Sequence, residues 1–427
     1  MKKERRIHRA WWMLIGCCLL QGGSLGIIHN CRGIFYDPVI EDLGFGMGAF
    51  SFYILFFGVC SCFVLPFVGK LFRKVDSRIL LGGASLVFSG TVFAMGFFHT
   101  LPAFYIAGAI QGFASAFLMF FPAPYILGNW FYKKRGLAVG LSAAVAGLAG
   151  VLGNPLGNAI IRAFGWRMGF FSFGLISLVM MFPVSVFLLR RSPEDVGCRP
   201  YGAEDDGALT GESCPLDGVP ASRAKRESAF WLLILAGLLA AFTCAYYAHL
   251  SPLGIYFGYG SIVGALMVSC SMAGNVVSKL LLGHLYDRFG LRTALAAGTA
   301  TVVVGFLLLL VDSLPVRIVG SFLYGFSMAM SAIMIAITIR DVYGSRDYGD
   351  LLSYSSMAST LGTSVNIAII GYMVDGFGRQ RGYIISLWYG LALTLAMGAL
   401  LIVSIRGGRK IAAEYKPGTA AGENAKH

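Results

Sequence analysis

Twelve apolar stretches, each about twenty residues or longer, limit the folds open to this chain more than any other feature. They lie at about 11–36, 45–68, 79–98, 102–127, 136–161, 168–190, 228–250, 259–285, 291–311, 315–340, 350–374 and 382–405. About twenty apolar residues in a helix cross the ~30 Å hydrocarbon core of a bilayer. The chain is therefore predicted to be an all-α membrane protein with twelve transmembrane helices. Composition agrees. Only 13% of the 427 residues are charged and 56 are glycine, where soluble domains carry roughly 25% charge and helices packed in lipid favour small residues.

The net charge of +13 would suit a nucleic-acid partner if it formed one basic stripe. It does not. Of the 34 lysines and arginines, 27 flank the apolar spans on one side, at the two termini, after spans 2, 4, 8 and 10, and in the segment after span 6. The positive-inside rule then places both termini in the cytoplasm, in a cell inner (plasma) membrane. The basic segment Met1–Arg9 precedes an apolar run with no small-residue cleavage site, so a retained first helix is expected. The nine cysteines show no zinc spacing, and Cys60-x-Cys62 lies inside an apolar run. No metal, cofactor or enzyme constellation is expected, and no Gly-x-x-x-x-Gly-Lys loop signals ATP.

The only long polar segment, Arg191 to Glu227, contains Glu204-Asp205-Asp206-Gly207 and separates six spans from six. This gives an expected N-terminal half over 1–190, a cytoplasmic linker over 191–227, and a C-terminal half with a tail over 228–427. The halves resemble each other. Gly69-Lys70-Leu71-Phe72-Arg73-Lys74-Val75-Asp76-Ser77-Arg78 follows span 2, and Gly283-His284-Leu285-Tyr286-Asp287-Arg288-Phe289-Gly290-Leu291-Arg292 follows span 8. Two six-helix halves with a repeated turn are how parallel-repeat transporters are built.

Within span 8, Lys279 lies eight residues before Asp287, about 12 Å deeper at the helical rise. A cation at that depth costs at least ~2.5–3.5 kcal/mol on insertion scales, so it normally faces a bundle interior or a watery cavity. Ser271, Asn275 and Lys279 recur at i, i+4 and i+8 and share one helix face. Asp37, Asp287, Asp312, Asp341 and Asp375 all fall at span ends, so a substrate carboxylate is the natural counterion. The bland alternative is that Lys279 snorkels to the interface or pairs with a neighbouring helix.

Arg32, with His29 and Asn30, lies near the outer end of span 1. It is either an outer-gate contact for a carboxylate or an interfacial arginine meeting headgroups or Asp37. Span 11 lines up Ser356, Ser359, Thr360, Thr363 and Asn366, span 10 Tyr324, Ser327 and Ser331, and span 4 Gln111 and Ser115. These groups orient a polar ligand or bond neighbouring helices. His249 precedes Ser251-Pro252, where a helix break is expected, and with His29 it is a candidate proton carrier.

Gly-x-Leu-x-Asp-Arg-x-Gly-x-Arg after span 8 resembles the signature loop of the major facilitator superfamily. In that family the acid helps to latch the halves together on the cytoplasmic side, a role the resemblance gives to Gly283, Asp287, Arg288, Gly290 and Arg292. The copy after span 2 departs from it, with Arg73 in place of the acid and Asp76 in place of the glycine. The segments Trp130-Phe131-Tyr132-Lys133-Lys134-Arg135-Gly136-Leu137-Ala138-Val139-Gly140, Gly165-Trp166-Arg167, Arg191-Ser192-Pro193-Glu194-Asp195-Val196-Gly197 and Gly371-Tyr372-Met373-Val374-Asp375-Gly376-Phe377-Gly378 narrow the match. Together they resemble the bacterial monocarboxylate transporter and oxalate:formate antiporter branch.

That resemblance implies an anion-holding cation in helix 8, commonly arginine, where this chain has Lys279. Some relatives carry a titratable acid four residues earlier, where Asn275 stands. Oxalate-exchanging relatives place a second cation in helix 11, where this chain has none, so one carboxylate is expected in the substrate. The expected function is secondary transport of a small organic anion by a single chain, coupled to protons or to a counter-anion. A drug or metabolite exporter and a non-transporting carboxylate receptor remain the alternatives.

Overall fold

The computed structural model describes residues 8–119, 121–131, 134–202, 219–344 and 346–414. Met1–Ile7, Tyr132, Lys133, the linker stretch containing Glu204–Gly207 and Cys214, and the tail beyond Glu414 lie outside the described residues, as do the side chains of Lys70, Arg73 and Arg135.

Twelve helical spans cross the structure. They are α1 (Arg9–Leu43), α2 (Met47–Lys74), α3 (Ser77–Met95), α4 (Leu101–Ser115 continued by Pro122–Trp130), α5 (135–164), α6 (166–188), α7 (Ser228–Cys244 continued to Tyr256), α8 (Gly260–Phe289), α9 (Leu291–Leu310), α10 (Leu314–Tyr343), α11 (Tyr348–Phe377) and α12 (Arg379–Glu414). Ten helical stretches among the described residues are long and apolar enough to span a membrane. One of them holds both α5 and α6, joined across Gly165 at φ 83°, ψ 166°. The twelfth, α4, is cut short by its own interruption. The ends shift from the expected ones where polar residues continue a helix, since α1 runs on to Leu43 and α12 runs from Arg379 to Glu414.

The interruptions follow a rule. α1, α4, α7 and α10 are the first helices of successive groups of three, and each loses α geometry near its middle. α1 has a π segment at Gly22–His29 and a 3-10 turn at Arg32–Phe35. α4 breaks after Ser115, α7 passes through a 3-10 turn at Ala245–Ala248, and α10 has a π segment at Met330–Met334. Non-helical backbone at membrane depth is tolerated where it is buried in protein or lines a cavity. The interruptions in α1, α4 and α7 lie largely among buried residues, and that in α10 begins and ends on buried Met330 and Met334.

Small residues let neighbouring helices close in. A Cβ on Gly274 of α8 would collide with the Phe322 carbonyl of α10, and one on Gly325 of α10 would collide with the Ser271 carbonyl of α8. Such backbone-to-backbone contact is what association in lipid relies on, because the tails are as apolar as the side chains.

Candidate functional site

The halves meet along α2 with α11, α5 with α8, and α1 with α7. The polar links between them lie along this seam and at the molecular face opposite the signature loops. Asp375, near the end of α11, accepts from the backbone N–H groups of Met47 (3.0 Å) and Gly48 (2.7 Å), the first two residues of α2. Glu41 of α1 reaches Arg379 of α12 at 3.8 Å. His29 of α1 stacks on Tyr247 of α7, centroids 5.3 Å apart, with the hydroxyl 3.2 Å from Nδ1. Ser269 of α8 donates to the Val151 carbonyl of α5 at 3.0 Å.

Toward the basic face the same seam parts. On α5, Gly140 and Gly147 share a face through their i, i+7 spacing, as do Val276 and Gly283 on α8. A Cβ on Gly147 would collide with Val276, whereas one on Gly140 or Gly283 would meet nothing within 4 Å. The two helices touch at Gly147–Val276, and two turns further toward the basic face Gly140 and Gly283 have no neighbour in contact. Lys279 stands one turn beyond the point of contact on that side.

The helical wheel of α8 fixes where Lys279 points. Ser271, Gly274, Asn275 and Ser278 are buried, and Gly325 of α10 packs directly on Ser271 and Asn275. Met272 and Val276 face Gly150 and Gly147 of α5, while Val277 and Leu280 are exposed on the lipid side. Lys279 falls between the α10-facing and α5-facing stripes, half-buried and within electrostatic reach of Cys244 on α7. Among the described residues it makes no ion pair and no hydrogen bond. One turn deeper, the Oδ1 of Asn275 is buried without a donor, and so is the Ser327 hydroxyl on α10.

The other expected site residues are bonded to their own helices or to neighbouring ones. Asn30 donates to the Ala146 carbonyl of α5 (3.4 Å), and Ser271 to the Val268 carbonyl (2.7 Å). Tyr324 donates to the Cys244 carbonyl (2.6 Å), Ser115 to the Gly112 carbonyl (2.8 Å), Thr360 to the Ser356 carbonyl (2.9 Å) and Thr363 to the Ser359 carbonyl (3.0 Å). Arg32 is 4% exposed and turns into the N-terminal half, where Nη2 donates to Oε1 of Gln111 at 3.4 Å and the guanidinium lies 4.2 Å from the Phe57 centroid. His249 is fully buried, with Nε2 2.9 Å from the Ile367 carbonyl and Nδ1 3.4 Å from the Tyr383 hydroxyl. Since a carbonyl only accepts, Nε2 carries the proton there.

The signature loop after α8 ends the helix at Gly290, φ 83°, and leaves Asp287 and Arg288 exposed. Gly283 and Arg292 flank it, and Arg288 lies over the Phe289 ring. Asp287 forms no ion pair among the described residues, whereas Tyr286 donates to Asp341 of α10 at 3.3 Å.

Two features carried no decisive signal in the sequence. Asp375 was visible as an acid at a helix end, but its partner is 327 residues away. Asp37, also at a span end, is buried at 4% exposure beside Tyr256 of α7. No periodicity distinguishes such an acid from one facing headgroups.

Two six-helix halves joined along α2–α11, α5–α8 and α1–α7, with a lysine inside a spanning helix that makes no ion pair among the described residues, have the architecture of a membrane carrier. The chain belongs to the Major Facilitator Superfamily, whose family model matches residues 19–275 and 250–423. It is a transporter and not an enzyme.

Its relatives include the oxalate:formate antiporter of Oxalobacter formigenes, 24% identical over 88% of each chain. They also include the MFS-type transporter pynF of Aspergillus niger, 27% identical over 66% of this chain and 62% of that protein. Monocarboxylate transporter 3 of Mus musculus is 27% identical over 38% of this chain and 33% of its own. The match to the Aspergillus niger protein thus spans less than two thirds of that relative's length. Among solved structures, a bacterial homologue of the human lysosomal transporter Spinster superposes with TM-score 0.70 at 14% identity, over 95% of this chain and 98% of its own. The nucleoside transporter NupG superposes with TM-score 0.67 at 12% identity, over 92% of this chain and 99% of its own. At such identities the structures speak for the fold alone.

Proposed function

We propose that this transporter carries a small organic anion, a monocarboxylate first, with Lys279 as its anchor. One observation carries the reading. Lys279 lies inside a spanning helix between α5 and α10 with no carboxylate in ion-pair contact among the described residues, and a half-buried ammonium draws a counterion from whatever enters. The orphan acceptor of Asn275 lies one turn beyond it and the Ser271 hydroxyl two turns beyond, with the Ser327 hydroxyl on α10, suited to a polar group on the substrate. Tyr324, Thr360, Thr363, Asn30 and Ser115 are the further candidate contacts, whereas Arg32 and Gln111, bonded to each other, are held back in the N-terminal half.

The kinship with an oxalate:formate antiporter and a monocarboxylate transporter supports a carboxylate cargo. The single deep lysine of α8 supports one carboxylate over two. With both termini in the cytoplasm, the parted side of the seam faces inward. The exposed Asp287, with Gly283, Arg288, Gly290 and Arg292, is then the inner latch in its released state. Transport is coupled either to protons, with His29 on the α1–α7 seam and His249 as the groups able to titrate, or to a counter-anion. The proposed division of the chain places the halves at 1–190 and 228–427 with a linker at 191–227.

The test is uptake of a labelled carboxylate panel into proteoliposomes, with and without a pH gradient and with preloaded counter-substrate. Saturable monocarboxylate uptake that disappears in Lys279→Gln is the expected result. Normal uptake in that variant overturns the assignment.

A further inference from the structure

The geometry points to a halide site inside the N-terminal half, built on Arg32 and Gln111 and separate from the site at Lys279. Arg32 is 4% exposed, and its Nη1 has no hydrogen-bond partner. It borders a cavity of about 20 Å³ whose walls include Gln111 of α4, Val92 of α3, Tyr53 of α2, and Phe170 and Phe173 of α6. A guanidinium never gives up its proton in a protein, so this charge is permanent.

The burial of a cation without a partner costs several kcal/mol. The Phe57 face 4.2 Å away returns about 2 kcal/mol of this, and supplies no negative charge. His29, Tyr36, Tyr53 and Tyr247 are the titratable groups close to Arg32, and none of them supplies a negative charge in its neutral form. No carboxylate lies within ion-pair distance of Arg32 among the described residues. A water in the cavity would satisfy Nη1 but leave the charge uncompensated; a monatomic anion does both.

The cavity has room for such an ion. One water-sized sphere needs roughly 10–15 Å³, so about 20 Å³ accommodates one small anion such as chloride. Gln111 fits the role because its amide can present N–H as well as accept from Arg32, and it already bonds Nη2 at 3.4 Å.

The experiment measures the melting temperature of the purified full-length protein as sodium chloride replaces sodium gluconate at constant ionic strength. A bromide-soaked crystal measured at the bromine edge is the direct check. A saturable rise of about 2 °C is expected from tenfold-excess occupancy, with an anomalous peak beside Arg32. Arg32→Gln should abolish both. Should Arg32→Gln fail to fold, Val92→Leu fills the cavity wall, keeps the charge, and should likewise remove the chloride response. Lys279→Gln should retain it in full, which separates this site from the substrate anchor. A wild-type protein whose melting is indifferent to chloride, or a response that survives Val92→Leu, overturns the proposal.

Discussion

The carboxylate of Asp375 closes the N-terminus of α2 by accepting from Met47 and Gly48 across the boundary between the two halves. An anion at that position satisfies orphan N–H groups and opposes the positive end of the helix dipole. It also ties the halves at one face only, where Gly48 and Gly371 let the backbones of α2 and α11 touch.

Removing that cap should favour the opposite conformation. N-cap loss costs ~0.5–2 kcal/mol, so Asp375→Ala is expected to shift the equilibrium roughly 2–30-fold toward opening at this face. Spin labels at Gly44 and Phe377 would report it as a larger population of long distances. An unchanged distance distribution would show that the apolar contacts alone hold this gate.

Lys279 provides the second test. A hydrogen bond to a charged group is worth ~1.5–3 kcal/mol, so Lys279→Gln should weaken substrate binding roughly 10–150-fold. Lys279→Arg keeps the charge but replaces a point cation by a planar fork, and should retain part of the activity. Concentration-dependent uptake into proteoliposomes separates the two.

Proton coupling is tested at the seam. His29 lies between α1 and α7 against Tyr247, where alternation must change its surroundings. His29→Gln is expected to lower uptake driven by a pH gradient while leaving counter-anion exchange intact. If the gradient effect survives there but is lost in His249→Gln, His249 is the carrier.

Glycine packing gives a stability test with an internal control. Gly274→Ala sets a Cβ against the Phe322 carbonyl, whereas Gly283→Ala meets open space. The first should destabilise by ~1–3 kcal/mol, as overpacking does. The second should melt like the parent, with both read from thermal unfolding in detergent.

The sequence by itself determined the membrane class, the count of twelve spans, the repeat after spans 2 and 8, and the position of Lys279 inside span 8. Each of these follows from local physics, since an apolar run must match the bilayer and a lysine within it must have a reason to stay. The sequence also placed one helix break, near Ser251-Pro252, because proline announces it. The break in α10 lies among residues with good helical propensity (Met330–Met334), so only packing selects its π turn, whereas that in α1 runs through Gly22, Gly23, Gly26 and Gly33, which hold a helix weakly without fixing where it breaks. Tertiary structure alone decided that Lys279 stands between α5 and α10, that Arg32 turns into its own half, and that Asp375 meets a helix N-terminus 327 residues away. Those are relations between distant segments, set by which glycines allow two backbones to meet, and no periodicity within a single span encodes them.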